Sequence, residues 1–423
     1  MDPYDALETR PPAEREQALM RALAQQVAHA QAQAPAFAAS LAGVEAAQVN
    51  TRAALARLPV LRKSELLERQ HAPDTPDLFG GHATLGWGAV APARRALRVF
   101  ESPGMLHEPE GRGADYWRMA RALHAAGLRA GDLVHNSFSY HFTPAGAMME
   151  SGAFALGCTV FPAGTGQTEQ QVRALAACGS NAYIGTPSFL KILLEKADAL
   201  GVALPALTKA SVGAEAFPPS LRDWLLARGV VAYQSYGTAD LGLIGYETAA
   251  REGLVLDEGV IVEIVRPGTG DPVPEGEVGE VVVTTLNPDY PLIRFGTGDL
   301  SAILPGACPT GRTNRRIKGW LGRADQTAKV RGLFVHPAQV AEIGRRHPQA
   351  GRLRLVVSGA MAEDRMTLRV EVAGAGLPAT ADLAARIADT VRDVTKLRAD
   401  VDLCAPGSLP NDGKVIADER DYG

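Results

Sequence analysis

Cysteine is scarce in this sequence, which has four among 423 residues. Cys158, Cys178, Cys308 and Cys404 stand too far apart to match a zinc-ligand pattern or the disulfide framework of a small secreted domain. Reduced, buried thiols are the expectation that fits this spacing. The scarcity therefore argues against a disulfide-stapled scaffold and against a cysteine zinc site.

A surplus of positive charge is also missing. The chain has 43 Lys and Arg against 47 Asp and Glu, which gives a formal net charge of −4. Proteins that bind nucleic acid neutralise backbone phosphates with an excess of Lys and Arg. We therefore expect no nucleic-acid partner. Disordered proteins combine low hydrophobicity with high net charge. This chain has 46% hydrophobic residues and a net charge of only −4, so we expect it to fold.

Long apolar runs are absent as well. No uninterrupted stretch approaches the roughly 20 residues that a membrane-spanning helix needs. The first residues, Met1-Asp2-Pro3-Tyr4-Asp5, are acidic, and the apolar segment of a signal peptide does not follow them. The expectation is a cytoplasmic protein without a membrane partner.

Several common catalytic motifs are missing. The sequence has no His-Glu-x-x-His, no Gly-x-Ser-x-Gly and no Gly-x-Gly-x-x-Gly after a strand. Its nine histidines are scattered, and none stands at ligand spacing from a Cys or Glu. These absences disfavour a zinc enzyme, a serine hydrolase and a Rossmann dehydrogenase.

Hydrophobic spacing indicates the organisation of the first part of the chain. Leu19, Leu23 and Val27 recur every four residues, as on one face of a helix, and Ser64 is placed to cap another helix. From about residue 115 to 240, helical stretches alternate with short apolar runs, at 133–135, 159–162, 182–185 and 230–233. Such runs are typical of buried parallel strands. The pattern predicts an α/β domain in which helices cover mostly parallel sheets.

The pattern changes after Tyr246. Residues 260–265 and 278–285 predict antiparallel hairpins and a small β-barrel-like part. Alternating apolar residues over 353–357 and 366–372 then predict two half-exposed strands. A helix follows, whose apolar face is formed by Leu383, Ile387 and Val391. We expect a large domain over residues 1–322 and a small, mobile α+β domain over residues 323–423.

Several short segments together carry a specific resemblance. They are residues 157–164, 184–190, 213–215, 236–240, 291–300, 322–325, 331–337 and 411–414. In this order they resemble the phenylacetate-CoA ligase branch of the adenylate-forming (acyl-CoA synthetase, AMP-binding) superfamily, over nearly the whole chain. One such segment is a weak signal, whereas the ordered set makes a specific match.

The resemblance implies a ligase that uses ATP, Mg²⁺ and CoA. A carboxylic acid is first activated to an acyl-adenylate with release of pyrophosphate, and the acyl group then passes to CoA as a thioester. Adenylation brings two anions together, which requires a positive charge at the α-phosphate. The resemblance assigns that charge to Lys414. It also implies a hinge at Asp325, about which the small domain rotates between the two steps.

The resemblance assigns further residues to the nucleotide and the metal. Tyr236 would stack on adenine, Asp299 would accept both ribose hydroxyls, and Arg323 would add a donor to the same nucleotide. Asp240 stands where the family usually has a glutamate as magnesium ligand, and it is one methylene shorter. The remaining nucleotide-contacting positions are Ala214, Glu215, Gly237 and Thr238.

The acid pocket is expected to be lined by Tyr140, His141, Phe142, Ala214 and Tyr236. These side chains are mostly large and apolar or amphipathic, and they favour an aryl, phenylacetate-like acid. A lone histidine among aromatic residues is more often packed and hydrogen-bonded than catalytic. For the neighbouring Met148 and Met149, simple packing of a helix is an equal alternative.

The loop that would hold the phosphates departs from the family pattern Ser-Ser-Gly-Thr-Thr-Gly-Lys-Pro. It keeps Ser102 and Gly104 but has His107 and Glu108 where the pattern has glycine and lysine. A carboxylate in place of the lysine would repel the β- and γ-phosphates. Three alternatives remain open: a variant ligase that still uses CoA, an adenylase that loads a carrier protein, and a catalytically impaired protein that binds nucleotide or acid. The retained lysine loop and hinge favour an active enzyme, and the resemblance alone suggests a homodimer.

Overall fold

A computed structural model describes residues 2–75, 77–87, 90–102, 105–324, 326–360, 363–373, 381–410 and 414–420. The chain divides into two compact units, Met1–Gly322 and Arg323–Gly423. Each unit has a hydrophobic core of its own.

Helices begin the first unit. The helices of this unit are α1 Pro12–Gln33, α2 Pro35–Ser40, α3 Arg52–Leu55, α4 Lys63–His71, α5 Ala120–Ala125, α6 Ala145–Ala155, α7 Thr168–Cys178, α8 Pro187–Leu200 and α9 Pro219–Ala227, with 3₁₀ turns at Ala6–Thr9, Ala46–Gln48 and Pro92–Arg94. The predicted stripe of Leu19, Leu23 and Val27 is the buried face of α1. The prediction that Ser64 caps a helix is wrong, because α4 begins at Lys63. Its first turn is closed instead by the Glu65 carboxylate, which accepts the Arg62 N–H at 3.2 Å.

The strands of the first unit are β1 Leu61–Arg62, β2 Arg98–Ser102, β3 Leu106–Glu110, β4 Leu133–Asn136, β5 Thr159–Pro162, β6 Ala182–Gly185, β7 Lys209–Gly213, β8 Val231–Thr238, β9 Gly242–Glu247, β10 Leu254–Leu256, β11 Val260–Val265, β12 Gly279–Thr285, β13 Phe295–Ser301, β14 Ile303–Leu304 and β15 Arg316–Ile317. Within the described residues, the largest sheet has nine strands in the order β14-β15-β10-β9-β8-β7-β6-β4-β5. A second sheet has the order β1-β13-β12-β11, and β2 pairs with β3 alone.

Five strands of the nine-stranded sheet run parallel, in the order β5, β4, β6, β7 and β8. Four of them match the predicted apolar runs, whereas β7 was not among those runs. The central strand β6 is fully buried, whereas β5 is half exposed because it forms the edge of the sheet. The chain then reverses, and β9 pairs antiparallel with β8.

The predicted hairpin after Tyr246 is confirmed in the four-stranded sheet. β11 and β12 pair antiparallel, with Val260 opposite Thr285. The part predicted to be β-barrel-like is this sheet, and in the described residues it is open rather than closed, with β1 and β11 as its outer strands. β1 comes from the N-terminal segment and pairs in parallel with β13, so Leu61 lies opposite Phe295.

The second unit is a small α+β structure. Its elements are β16 Ala328–Val330, β17 Leu333–Val335, α10 Pro337–Arg346, β18 Leu353–Ser358, β19 Arg365–Glu371, α11 Ala381–Thr395, β20 Asp400–Cys404 and β21 Ile416–Asp418. Leu383, Ile387 and Val391 form the buried face of α11, as predicted. β19 alternates between buried and exposed residues, but β18 is more buried than predicted because it lies inside the sheet order β20-β19-β18-β21.

This architecture confirms the predicted fold class of an α/β domain followed by a small α+β domain. In the part of the chain that the structure describes, no helix combines the length and the apolar character needed to cross a membrane.

Candidate functional site

The carboxyl ends of the parallel strands bring predicted site segments to one edge of the large sheet. Residues 140–142 follow β4, residues 214–215 follow β7, and residues 236–240 close β8. In open α/β sheets, ligands bind at this edge because the loops that leave the strands meet there. The arrangement is therefore consistent with the predicted acid and nucleotide pockets.

A hydrogen bond joins two of the residues predicted to contact the nucleotide. The Tyr236 hydroxyl on β8 donates to Asp299 Oδ2 on β13 at 2.8 Å, although these strands belong to different sheets. Trp320 Nε1 donates to the other carboxylate oxygen, Oδ1, at 3.1 Å. Asp299 is only 8% exposed. An ionised carboxylate accepts several hydrogen bonds, and these two bonds help to fix the orientation of Asp299.

Hydrogen bonds and an ion pair hold the backbone around Asp299. The Asp299 N–H donates to Thr297 Oγ1 at 3.1 Å, and the Thr297 hydroxyl donates to the Val281 carbonyl at 2.9 Å. Arg294, at the start of the same segment, has a φ of 48° and is 2% exposed. Its guanidinium pairs with Glu263 at 3.0 Å. A buried charge needs such a partner, so Arg294 acts here as an anchor of the loop.

The turn between β8 and β9 presents Asp240. The pairing of the two strands shifts between Tyr236 and Gly237, and a Cβ added at Gly237 would lie 2.6 Å from the Gly242 carbonyl oxygen. Only glycine fits this approach without a backbone shift. The Leu241 N–H donates to the Thr238 hydroxyl at 3.1 Å, which closes the turn. Gly237 and Thr238 thus shape the turn that carries the predicted metal ligand.

The divergent phosphate loop is built on the β2–β3 hairpin. Ser102 ends β2, Glu108 lies within β3, and the Ser102 hydroxyl donates to a Glu108 carboxylate oxygen. The backbone of His107 is held by Gln70, which accepts the His107 N–H at 2.8 Å and donates to its carbonyl at 2.9 Å. The His107 ring lies 3.2 Å from Glu101 Oε2. Gly104, the remaining predicted residue of this loop, lies outside the described residues.

The side chain of Glu108 is buried rather than presented to solvent. It is 1% exposed. Burial raises the pKa of Glu108 well above its usual value, the Asp240 carboxylate adds to the rise, and the Ser102 hydroxyl and the Lys63 ammonium oppose it. The sequence predicted that Glu108, in place of the family's lysine, would repel the β- and γ-phosphates, and its burial beside Asp240 adds a second possible role for it. Glu108 belongs to a pair of neighbouring buried carboxylates.

Among the residues that the structure describes, one oxygen of each carboxylate in the pair has no hydrogen-bond partner. These oxygens are Oε2 of Glu108 and Oδ1 of Asp240, while Oδ2 of Asp240 lies 3.6 Å from the Lys63 ammonium. Within the same described residues, the buried hydroxyl of Tyr290 also has no partner. Burial raises the pKa of Tyr290, with contributions from the charges of Asp240 and Glu108, so the three groups lie near one another. Unpartnered buried polar atoms are rare in folded proteins and call for an explanation.

A divalent cation fits these groups. Magnesium in nucleotide-using enzymes is commonly bound by one or two carboxylates, with phosphate oxygens and water completing its ligands. Asp240 and Glu108 supply two such carboxylates. The described residues contain no group of three or more His, Cys, Asp or Glu side chains placed to hold a metal by themselves.

The loop after β7 is conformationally restricted. Ala214 has a φ of 67°, a region that residues with a Cβ rarely occupy. The next side chain, Glu215, accepts the Ser188 N–H at 2.7 Å in the first turn of α8. A carboxylate at this end of a helix is favoured by the unpaired N–H groups and by the helix dipole. The bond from Ser188 to Glu215 thus holds the loop just after Ala214.

The predicted acid-pocket residues differ in their surroundings. The Tyr140 hydroxyl donates to Glu150 at 2.9 Å and accepts from the Asn136 amide at 2.8 Å. Burial raises the pKa of Tyr140, and Glu150 adds to the rise. His141 is exposed, and Phe142 is 77% exposed with a φ of 60°. Tyr140 is therefore fixed near the sheet edge, whereas His141 and Phe142 are not enclosed.

The predicted lysine lies in the second unit, just before β21. The Lys414 side chain is exposed, and the N–H of the next residue, Val415, donates to Gln326 Oε1 at 2.7 Å. Arg323 lies with its guanidinium carbon 5.9 Å from the centre of the Phe334 ring. Asp325, the predicted hinge residue, lies outside the described residues. Gln326 thus connects the segment that follows the predicted hinge with the base of the lysine loop.

Four contributing residues were not predicted from the sequence. Trp320 orients Asp299, Gln326 holds Val415, and Lys63 and Tyr290 lie beside the carboxylate pair. Trp320 stands two residues before the segment 322–325, which carries part of the family resemblance. Its position in the sequence therefore could have indicated that it lies near the site. The contacts of Lys63 and Tyr290 depend on tertiary packing, and no local pattern identifies them.

Comparisons with known proteins agree with this geometry. A model of the AMP-binding enzyme family matches residues 114–287, and a model of the AMP-binding enzyme C-terminal domain matches residues 332–420. A phenylacetate-coenzyme A ligase of Aromatoleum evansii is 32% identical over 78% of this chain and 75% of its own length. The chain belongs to the AMP-binding enzyme family. The resemblance to the phenylacetate-CoA ligase branch is thereby confirmed.

Further relatives of this AMP-binding enzyme cover most of its length. A phenylacetate-coenzyme A ligase of Thermus thermophilus is 31% identical over 84% of each chain. A crystal structure of 2-hydroxyisobutyryl-CoA ligase with 2-HIB-AMP and CoA, in the thioesterification state, matches with a TM-score of 0.80 and 26% identity. That match covers all of this chain and 94% of the other.

Proposed function

We propose that this AMP-binding enzyme activates a carboxylic acid with ATP to an acyl-adenylate and then transfers the acyl group to CoA as a thioester. It is an AMP-forming acid–thiol ligase. The observation that carries the proposal is the Asp299 carboxylate, held by Tyr236 and Trp320 in the segment that resembles the family's ribose-binding loop. The relatives described above are ligases of the same reaction type.

The nucleotide would bind at the carboxyl edge of the large sheet. The Asp299 carboxylate would accept the ribose hydroxyls, and the Tyr236 ring would offer a face for adenine. Gly237, Ala214 and Glu215 supply the backbone around the base. The hydrogen bonds from Tyr236 and Trp320 orient the Asp299 carboxylate, which lowers the cost of ordering it when ATP binds.

Asp240 and Glu108 would hold the magnesium ion together. The ion, when bound, supplies positive charge that neutralises the triphosphate and the departing pyrophosphate. This role accounts for the divergent loop: Glu108 adds a second carboxylate where Asp240 is one methylene shorter than the usual glutamate. Lys63, at 3.6 Å from Asp240, leaves the pair with less negative charge than two isolated carboxylates.

The second unit would supply the remaining charge. Lys414 is a compact cation on an exposed loop, suited to neutralise the carboxylate and the α-phosphate as they approach. Arg323 would donate to the same nucleotide, and Asp325 would be the hinge between the adenylating and thioester-forming arrangements. Gln326 would position the lysine loop through its bond to Val415.

The acid is proposed to be aryl and phenylacetate-like. Relatives named phenylacetate-coenzyme A ligase support this class. In this chain, Tyr140 is fixed at the sheet edge by Glu150 and Asn136, where its ring offers an aromatic wall. A structural relative is named for the smaller acid 2-hydroxyisobutyrate, so an aliphatic hydroxy acid belongs in the same test.

The test is a product assay with the full-length chain. Phenylacetate, benzoate, 2-hydroxyisobutyrate and acetate are each supplied with Mg·ATP and either CoA or a phosphopantetheine-loaded carrier protein. The proposal expects AMP, pyrophosphate and acyl-CoA in equal amounts, with phenylacetate the best substrate. Acylation of the carrier without acyl-CoA would reassign the acceptor. Nucleotide or acid binding without any product would instead indicate a binding protein.

A further inference from the structure

One buried glutamine, Gln171, joins the end of β4 to the loop that follows β5. Gln171 lies on α7 and is 3% exposed. Its amide oxygen accepts from the ring of His135 at 2.9 Å and from the hydroxyl of Ser137 at 2.9 Å. Its amide nitrogen donates to the carbonyls of Gly164 at 2.8 Å and Gly166 at 2.7 Å. An amide has two donor and two acceptor positions, so all four are used.

The loop that Gln171 holds, residues 163–167, has an unusual backbone. Gly164, Gly166 and Gln167 have φ values of 68°, 75° and 49°, so three of its five residues lie in the left-handed region. Strained backbone of this kind persists only where its surroundings fix it, and it is common beside ligands. The Gly164 N–H also donates to the Asn136 carbonyl at 3.0 Å. The loop is therefore fixed by β4 as well as by α7.

The inner side of the 163–167 loop lies beside Tyr140. Gly164 is buried, and a Cβ added to it would lie 4.0 Å from Tyr140 Cδ2, which is van der Waals contact. Asn136 binds the loop through its carbonyl and donates from its amide to the Tyr140 hydroxyl at 2.8 Å. The same hydroxyl donates to Glu150. The loop and the tyrosine ring are thus parts of one hydrogen-bonded arrangement at the carboxyl edge of the sheet.

We propose that Gln171 is a positioning residue of the acid pocket, which it shapes by holding the 163–167 loop against Tyr140. The inference rests on the proposed function, in which Tyr140 forms the aromatic wall for the carboxylic acid. A ring supported by a rigid loop loses little freedom when a flat aryl acid packs on it. A small acid such as acetate has little surface to pack there, so the support selects for the aryl acid.

The test is Gln171→Met, which keeps the length of the side chain and removes its four hydrogen bonds. We expect KM for phenylacetate to rise about tenfold, while KM for ATP stays unchanged. The ratio of kcat/KM for phenylacetate to that for acetate should fall. Hydrogen–deuterium exchange of the 163–167 amides should become faster, which is measured without turnover. Gln170→Met, an exposed glutamine of the same helix, is the matched control and should alter none of these values.

Two further variants separate support of the loop from packing of the core. Ser137→Ala removes one bond to the Gln171 oxygen but keeps both bonds from Gln171 to the loop, so the preference for phenylacetate should be retained. Gln171→Glu at pH 8 does the reverse. Its carboxylate accepts from His135 and Ser137 but donates to neither Gly164 nor Gly166. It should therefore lose the preference, and it replaces Gln171→Met if that variant does not fold.

Three outcomes would overturn the proposal. The first is an unchanged preference for phenylacetate over acetate in Gln171→Met. The second is a rise in KM for ATP equal to that for phenylacetate, which would show that the whole unit has loosened. The third is faster exchange of the 163–167 amides with no change in preference, which would place the loop away from the acid. Failure of the proposed function is distinguishable, because the wild type would then release no acid-dependent pyrophosphate.

Discussion

Tyr236 and Asp299 lie on strands of two different sheets, and a hydrogen bond of 2.8 Å from the tyrosine hydroxyl to the aspartate carboxylate joins them. The bond connects the segment predicted to contact adenine with the segment predicted to contact ribose. Because Trp320 donates to the other oxygen of the same carboxylate, both oxygens of the proposed ribose acceptor are held in a defined orientation.

Tyr236→Phe tests the importance of this bond. The substitution keeps the aromatic ring but removes the donor to Asp299. We therefore expect KM for ATP to rise about ten- to hundredfold, which corresponds to the loss of one hydrogen bond to a charged group. The KM for the acid should change less. Tyr233→Phe, on the same strand, is the control and should leave KM for ATP unaltered. An equal effect of both substitutions on KM for ATP would contradict the orienting role of Tyr236.

Glu108→Gln tests the carboxylate pair. The substitution preserves size but removes one charge, so Mn²⁺ binding in the presence of ATP, measured from the electron paramagnetic resonance signal of free Mn²⁺, should weaken about tenfold or more. Asp240→Asn should have a similar effect. Glu101→Gln, on the neighbouring strand β2, is the control. Unchanged Mn²⁺ affinity in Glu108→Gln would rule out a direct ligand role.

Glu108→Lys separates two views of the divergent loop. If Glu108 faced the phosphates from a solvent-exposed loop, a lysine there would tighten Mg·ATP binding. In the observed packing, the new ammonium would lie beside Asp240 and compete with the metal. We therefore expect weaker Mg·ATP binding by calorimetry, and tighter binding would show that the side chain points outwards.

Lys414→Ala separates the two half-reactions. Loss of the positive charge should slow adenylation by about 10²–10³-fold, the range measured when one preorganised group that stabilises developing charge is removed. Thioester formation from supplied acyl-adenylate and CoA should be largely retained. Lys396→Ala, an exposed lysine of the same unit, serves as control. Equal loss of both half-reactions would mean that Lys414 is not the adenylation lysine.

His82 should make the larger unit less stable in acid. Burial lowers the pKa of His82 from 6.5 to about 4, and the Arg69 charge adds to the fall. The unfolded chain therefore binds a proton between these values while the folded chain does not. Stability is lost as pH falls from 6.5 towards 4, by up to about 3 kcal/mol at 1.36 kcal/mol for each pKa unit.

Urea unfolding at pH 4.5 and pH 7 measures this effect. All four tryptophans, at positions 87, 117, 224 and 320, lie in the first unit, so their fluorescence reports its unfolding. His82→Gln cannot ionise, and its free energy of unfolding should fall less between pH 7 and pH 4.5 than that of the wild type. An identical fall in both proteins would exclude His82 as a source of the acid sensitivity.

The fold could be predicted because its signals are local. The parallel strands appeared as short apolar runs, and the apolar faces of α1 and α11 appeared as regular spacing. The ordered loop segments likewise indicated the family. The prediction for Ser64 was wrong although a serine before an apolar run suits an N-cap. The helix α4 begins at Lys63, so Arg62 is its N-cap, and the Glu65 side chain accepts the Arg62 N–H.

The environment of Glu108 could not be predicted from the sequence. Its segment, Leu106-His107-Glu108-Pro109-Glu110, lacks the apolar alternation of a strand, yet it forms β3, and both Glu108 and Glu110 are buried. Both buried carboxylates have polar partners. The Ser102 hydroxyl donates a hydrogen bond to Glu108, and Arg98 forms an ion pair with Glu110. Partners from distant segments, such as Lys63 beside Asp240, likewise depend on tertiary packing rather than on local pattern.

The most direct test of the account is acid-dependent pyrophosphate release with Mg·ATP in the absence of CoA. The account predicts a burst of about one pyrophosphate per active site with phenylacetate, because the acyl-adenylate stays bound until a thiol arrives. Addition of CoA should then convert the burst into steady turnover. Nucleotide binding by calorimetry without any acid-dependent pyrophosphate would contradict the account and show that this carboxylate-lined site binds ATP but does not use it.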